Sequence, residues 1–404
     1  MTHNGSHVRF PAEFEEQEAV WLGWPVYQVK QGLSSVPVFI ELIRVLVSHI
    51  HVNIAAQNAE EERRIKQTLT SNGISIENVT IYRIPHNDIW FRDMGPIFLV
   101  DNNNRLIVQE FQFNGWGYEA PDSPVIYLDQ QVPQMVATKC GYELRSSTLV
   151  SEGGDRTFNG KGTMISVEAV ELQRNPDKTR DEIENEFKKI FNLENVIWLK
   201  RGIYDDDKAF SGLLPGPDGL NDIMTAIATG GHIDEHCRFV SEDTVLVAQV
   251  TEEEAEKDPI AKVNYERLEE NVAILKKSVI QDGRPLNIVR IPMPVPLYTT
   301  MKKGDGVYDY YDKKYFDGFV YPIRSEIDVI AATSYNNFFI TNGAVLAPKY
   351  WKPGLPALMK HKDSEVQEIL ASLFPDRKVY IFDVKTLNFG GGGIHCITQQ
   401  QPVC

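Results

Sequence analysis

Apolar residues recur along this chain in two alternating rhythms, short continuous runs and spacings of three to four. The first rhythm predicts buried strands and the second amphipathic helices. Ala19-Val20-Trp21-Leu22-Gly23-Trp24 predicts a buried strand stopped by Pro25. Val38, Leu42, Val45, Leu46 and His49 predict a helix over 36–50. A strand follows over 51–56, a charged surface helix over 58–72 and a strand over 80–85. Helical spacing returns at 179–191, 264–280 and 365–374, each time ahead of a strand, at 196–199, 286–292 and 379–382. Strand alternating with helix predicts an α/β fold.

A second pattern is laid over the first. Polar clusters stand at the mouths of predicted hairpins. Trp90-Phe91-Arg92-Asp93 precedes apolar runs at 97–100 and 106–108, and Glu152-Gly153-Gly154-Asp155 precedes strands at 156–158 and 162–166. His232-Ile233-Asp234-Glu235-His236 precedes strands at 237–240 and 244–247, and Tyr335-Asn336-Asn337 precedes strands at 338–340 and 344–347. A fifth unit opens with four glycines, 390–393, and Cys396, which we expect in a strand-like setting between Ile394 and Ile397. Five hairpin–helix–strand units result, each opened by a reactive or polar residue: Asp93, Glu152, His232, Asn337 and Cys396. If rotation about one axis relates the units, the five residues meet at the centre. Two stretches lengthen the repeat, 204–229 and 299–325, and both are expected to be loops, in the manner of lids. The expected organisation is a single domain over 8–404 carrying these insertions.

Composition narrows the function classes. The net charge of −15 argues against nucleic acid as a partner and suits a small cationic substrate. No run of 18 apolar residues exists, so no membrane helix is expected, and the polar start of the chain predicts no secretory leader. Four scattered cysteines form neither a disulfide framework nor a CxxC pair, which suits the cytoplasm.

Four glycines beside Cys396 leave an open backbone that a substrate can approach. A thiol there is either a nucleophile or a small core residue. Joined to the imidazole of His232 and the carboxylates Asp93, Glu152 and Asp234, it suits a planar cation. A guanidinium presents a fixed fork of N–H donors that carboxylates accept in pairs. A thiolate can then attack its carbon while His232 protonates the leaving ammonia and afterwards activates water. Two rival readings stand beside this one. His232, Asp234 and His236 alternate as on one strand face and could bind zinc for a hydrolysis, with Cys237 adjacent. A binding scaffold with an incidental cysteine is the other. Trp90 is either a core aromatic or a wall of the pocket.

As an ordered set, Trp90-x-Arg92-Asp93-x-Gly95-Pro96, Phe113-Asn114-Gly115-Trp116-Gly117, Glu152-Gly153-Gly154, Gly231-His232-x-Asp234, Ser334-Tyr335-x-Asn337 and 391–401 resemble the agmatine deiminase and bacterial peptidylarginine deiminase family of guanidino-group modifying enzymes. The resemblance runs from about residue 10 to the C-terminus. It implies a five-bladed, pseudo-symmetric α/β propeller, the pentein fold, and a hydrolase that needs neither cofactor nor metal. It implies Cys396 as nucleophile, His232 as general acid and base, Asp93 and Asp234 as the carboxylates that hold the guanidinium, and Glu152 as an orienting carboxylate. Trp90 and Asn337 match pocket residues, and we expect Arg92 and Gly393 to bind substrate with them. The implied reaction turns agmatine into N-carbamoylputrescine and ammonia, with peptidyl or free arginine as the alternative substrate. A homodimer is also expected from the resemblance. The segment Asp205-Asp206-Asp207, Asp155-Arg156 and Glu235-His236 depart from the family pattern and bear on what holds the substrate's tail.

Overall fold

Pro37 sits in the first turn of the helix Val36–Leu46, where its missing N–H costs nothing. That helix buries Val38, Phe39, Leu42, Ile43 and Leu46. They join Val20, Leu22, Val52 and Ile54 from two neighbouring strands in one apolar cluster. Each such side chain contributes about 1.5–3 kcal/mol by leaving water. The helix Arg180–Phe191 starts at a reciprocal cap: Glu182 N donates to Thr179 Oγ1, and Thr179 N donates to the Glu182 carboxylate. Its apolar face is Ile183, Phe187 and Phe191. The molecule is described by a computed structural model covering residues 8–26, 34–120, 122–207, 212–216, 219–305, 308–309 and 325–404.

The architecture is α/β, with six sheets among the described residues. Four of the six repeat one wiring, an antiparallel pair followed by a parallel strand. They contain Ile97–Asp101, Leu106–Gln112 and Glu143–Val150; Arg156–Phe158, Thr163–Val167 and Asn195–Leu199; Cys237–Phe239, Thr244–Gln249 and Asn287–Pro292; and Phe339–Thr341, Ala344–Lys349 and Lys378–Asp383. A fifth sheet has the same wiring but is built from both chain ends. Gln399–Pro402 runs antiparallel to Gln17–Gly23, which runs parallel to His51–Ala56 and on to Val79–Arg83. The C-terminal strand therefore completes the N-terminal sheet.

The sixth sheet departs from expectation. Leu214–Pro215, Asn221–Thr225, Glu326–Ile330 and Tyr298–Lys302 pair within the stretches expected to be loops or beside them. Asn221–Thr225 and Glu326–Ile330 run parallel, so they join distant segments through buried Ile223, Met224, Val329 and Ile330. Within these strands the apolar runs are at most two residues long, as at Ile223-Met224 and Val329-Ile330, which hid them in sequence. Most of the expected 299–325 lid, residues 306–307 and 310–324, lies outside the described residues, as do 208–211 and 217–218 of the other.

Candidate active site

In every repeating sheet a tight turn precedes the first strand, and the marker residues sit in those turns. Phe91–Met94 carries Asp93, Gly153–Asp155 follows Glu152, Ile233–Glu235 follows His232, and Ile394–Ile397 carries Cys396; Asn337 stands two residues before the strand Phe339–Thr341. Two expectations of local structure are corrected here. Cys396 lies in a single helical turn rather than a strand. Residues 232–236 form a 3-10 turn, so strand alternation does not set their directions. Glycine at these points makes room that no side chain could share. A Cβ on Gly393 would lie 2.5 Å from Asn337 Oδ1. One on Gly154 would lie 2.5 Å from His232 Nδ1 and 2.8 Å from Asp93 Oδ1.

The turns bring the five markers together in the interior. Cys396 is 3 % exposed and His232, Glu152, Asp234 and Asn337 are buried with it. Asn337 is the hub beside the thiol. Its Nδ2 donates to Cys396 Sγ at 3.0 Å and to Glu235 Oε1 at 2.7 Å, while its Oδ1 accepts from His395 N at 2.8 Å. Cys396 Sγ stands 3.6 Å from Asp234 Oδ2 and 3.9 Å from Glu235 Oε1. Trp90 is buried, with its ring against Gly392, next to Cys396 Sγ.

His232 Nε2 lies 3.2 Å from Glu152 Oε2, and Nδ1 lies 3.8 Å from Asp93 Oδ1. Glu152 is in turn held by Arg174 Nε at 2.8 Å. Burial alone would push the imidazole down, but Asp93, Glu152 and Asp234 outweigh it and raise His232 to about 10. It is therefore an imidazolium at neutral pH. Asp93 accepts from Gly154 N at 2.8 Å and from Trp116 Nε1 at 2.9 Å. Burial raises Asp93 to about 6 against the pull of His232. Glu152 is lowered to about 2, because Arg174 and His232 overcome the burial of its carboxylate. Burial, with Asp234, Glu235 and Asp93 close by, pushes the Cys396 thiol well above its ordinary range.

Four groups in this centre were not assigned from sequence. His395 Nδ1 lies 2.7 Å from Asp234 Oδ2, and its Nε2 lies 2.9 Å from Glu13 Oε2. Glu13 also accepts from Arg238 Nη2 at 2.8 Å and Ile340 N at 2.8 Å. Glu235 faces the thiol, as above. Asp206 Oδ2 accepts from Gly231 N at 3.0 Å and His232 N at 3.1 Å, fixing the approach to the histidine. Adjacency to Cys396 and Asp234 could have pointed to His395 and Glu235. Nothing in the sequence marks Glu13, which reaches the centre only through tertiary folding.

Arg92 corrects an expectation. Its guanidinium donates to Gln400 Oε1 at 2.6 Å, His395 O at 3.3 Å and Glu13 at 3.4 Å, so its donors support the turn that carries Cys396 rather than face a ligand. Gly393 makes room for Asn337, and its backbone hydrogen-bonds the Cys396 sulfur. The zinc set is also corrected. His232, Asp234 and His236 do not gather ligand atoms within 4.8 Å of one another; among the described residues that spacing is met by Asp234, Glu235 and Cys396. His236 is buried and lowered to about 4 by burial, and neither ring nitrogen has a partner.

A thiol, an imidazole and several carboxylates buried side by side can together carry out nucleophilic and acid–base chemistry. Agmatine deiminase from Medicago truncatula is 30% identical to this chain over 419 residues, covering 99% of this chain and 97% of its own. Agmatine deiminase from Pseudomonas aeruginosa (strain LESB58) is 29% identical over 412 residues, covering 99% and 97%. The solved agmatine deiminase of Enterococcus faecalis superposes with a TM-score of 0.76 at 25% identity, covering 98% of this chain and 96% of that one. A putative arginine deiminase from Porphyromonas gingivalis superposes at 0.71, also at 25% identity, covering 98% of each. The model of the Porphyromonas-type peptidyl-arginine deiminase family matches residues 9–211 and 219–402. The chain belongs to that family.

Proposed function

We propose that this enzyme hydrolyses the guanidino group of agmatine, giving N-carbamoylputrescine and ammonia through a covalent intermediate on Cys396. One observation carries the reading. Three buried polar atoms of the site have no hydrogen-bond partner: His232 Nδ1, Asp234 Oδ1 and Glu235 Oε2. Leaving such atoms unpaired costs about 1–3 kcal/mol each, and a guanidinium supplies the donors the two carboxylate oxygens lack.

Asp93 and Asp234 hold the cation, and its charge offsets the repulsion that keeps the thiol protonated. The thiolate adds to the guanidinium carbon. His232 gives its proton to the departing nitrogen, which leaves as ammonia, and a thiouronium remains on sulfur. The neutral imidazole then takes a proton from water. The hydroxide adds, the C–S bond breaks and the ureido product departs. Glu152, itself held by Arg174, keeps His232 charged and oriented. Trp90 and Asn337 shape the pocket. The acids gathered here, Asp93, Glu152, Asp206, Asp234 and Glu235, favour a substrate with a second cation over one with a carboxylate. Agmatine fits that preference better than free or C-terminal arginine.

In this reading the five sheets of common wiring are the blades of a pseudo-symmetric propeller, residues 8–404 form one domain, and the sixth sheet is an insertion beside the centre. The described residues include no helix long and apolar enough to cross a membrane, and we place the enzyme in the cytoplasm, as a homodimer. The test is ammonia release from agmatine, free arginine and a peptide ending in arginine, compared with Cys396→Ala. Turnover of agmatine that the variant lacks supports the reading. Preference for either arginine substrate, or a fully active Cys396→Ala, overturns it.

A further inference from the structure

The mechanism above leaves one proton unplaced. The ring nitrogens of His232 face Glu152 Oε2 at 3.2 Å and Asp93 Oδ1 at 3.8 Å rather than the sulfur, and those carboxylates raise its hold on its own proton, so it is not the group placed to receive the proton of the Cys396 thiol. Two carboxylates stand next to that sulfur. Asp234 Oδ2, at 3.6 Å, is occupied by His395 at 2.7 Å and is held low, the bond from His395 overcoming its burial. It is a weak base. Glu235 Oε1, at 3.9 Å, has one donor, Asn337 Nδ2, and Oε2 has none.

We propose that Glu235 is a catalytic residue, the base that takes the thiol proton of Cys396 when a guanidinium enters. The inference rests on the deiminase reading and adds a residue to it. The S–H bond breaks and its proton passes to a Glu235 carboxylate oxygen. The sulfur lone pair forms the S–C bond. His232 supplies the separate proton that leaves with ammonia. When the C–S bond breaks, Glu235 returns its proton to sulfur. The proton released as the ureido carbonyl forms goes to solvent, where ammonia becomes ammonium. Charge and atoms then balance over the cycle.

The surroundings suit that role. Asp234 Oδ2 is engaged by His395, whereas Glu235 Oε2 has no hydrogen-bond partner and is open to a proton. Burial, then Asp234 and Asp206, raise its proton affinity, and an entering guanidinium favours its ionised form beforehand. The charged or titratable groups that face it are Asp234 and His232 from its own turn and strand approach, Asp205 and Asp206 from the turn Tyr204–Asp207, Cys396, and Tyr350, which Glu235 affects in turn. Glu235 also lines a small cavity of about 10 Å³ with Asp205, Asp206, Ala226 and Ala228.

The experiment is Glu235→Gln, with Glu235→Asp and a melting curve for each. Glutamine keeps an oxygen for Asn337 Nδ2, so the turn is preserved. For agmatine we expect kcat to fall about 10²–10³-fold in Glu235→Gln, the range that a general base supplies. KM should rise far less than kcat falls, because Asp93 and Asp234 still hold the cation when Glu235 Oε2 is replaced. Between pH 7 and 9 kcat of Glu235→Gln should rise about tenfold per unit, as solvent base takes over the proton, while the parent enzyme changes little. Glu235→Asp should recover part of the loss. A raised KM with unchanged kcat would make Glu235 a guanidinium ligand only and overturn the proposal. So would a loss of kcat without recovery at high pH. If Glu235→Gln does not fold, Glu235→Asp carries the test through the same KM-against-kcat comparison. Failure of the deiminase reading is distinct, since the parent enzyme would then release no ammonia.

Discussion

Each functional side chain works through a neighbour that fixes its charge. Glu152 is held low by Arg174, and in turn Glu152 keeps His232 protonated. Asp93 is the exception, raised by burial to about 6. These opposed shifts set the pH range of activity. In the proposed mechanism, Asp93 takes a proton and loses its hold on a cation as pH falls through about 6. As pH rises through about 10, His232 loses the proton it must give to ammonia. We predict a bell-shaped kcat/KM with limbs near those two values, falling about tenfold per unit outside them. The sign for stability runs the same way for the histidine. A folded-state value above the unfolded one of about 6.5 adds stability that is complete below that pH and lost as pH rises through about 10. Asp93 has the same sign: its folded value is also raised, so its share of stability is complete at acid pH and is lost as pH rises through about 6. A pH-rate profile whose acid limb lay near 4 would contradict the placement of Asp93 in the binding clamp. Residue identities at this scale were legible in sequence wherever a reactive side chain sat in a repeated position. Glu13 was not, because its contacts with Arg238, Arg92 and His395 span most of the chain.

At the scale of elements, the recurring device is a short turn before an edge-to-centre strand, with glycine where two turns touch. Gly154 shows the constraint most directly. A methyl group there would enter the space of His232 Nδ1, Asp93 Oδ1 and, at 3.3 Å, Asp234 Oδ2. Gly154→Ala should therefore lower kcat/KM for agmatine by at least about 100-fold, since a misplacement near 1 Å costs that much. Its far-ultraviolet dichroism should stay unchanged, because the strand that follows, Arg156–Phe158, is untouched. Near-parental activity would mean that the three groups do not share that space. Long elements were readable from their periodicity: the strand His51–Ala56 matches its expected bounds, and Arg180–Phe191 begins one residue inside them, Thr179 serving as cap. Pro259–Leu275 begins five residues earlier than the apolar spacing indicated, because Asp258 caps it by accepting from Ala261 N at 2.7 Å. The turns were misread for the opposite reason. Three or four residues are too few to show a period, so Ile394–Ile397 and Ile233–Glu235 looked like strand.

Across the whole molecule, segments from its two sequence extremes pair. Gln399–Pro402 pairs with Gln17–Gly23, Gln401 Oε1 accepts from Trp21 Nε1 at 2.8 Å, and Gln400 holds Arg92. Strand pairing of this kind links sequence positions that no local pattern connects, which is why the fifth unit looked self-contained in sequence. Removing residues 399–404 should leave the sheet edge of Gln17–Gly23 unpaired and release the turn that carries Cys396. We predict that this truncated chain melts at least about 5 °C lower and has no deiminase activity, checked by calorimetry and ammonia release. Full stability without 399–404 would contradict the role given to the strand Gln399–Pro402. The central claim concerns Cys396 itself, and the most direct measurement is the mass of the enzyme quenched in acid during turnover of agmatine. The account predicts an adduct of agmatine less one ammonia on the peptide carrying Cys396, absent in Cys396→Ala. Steady turnover with no adduct, together with an active Cys396→Ala, would contradict it.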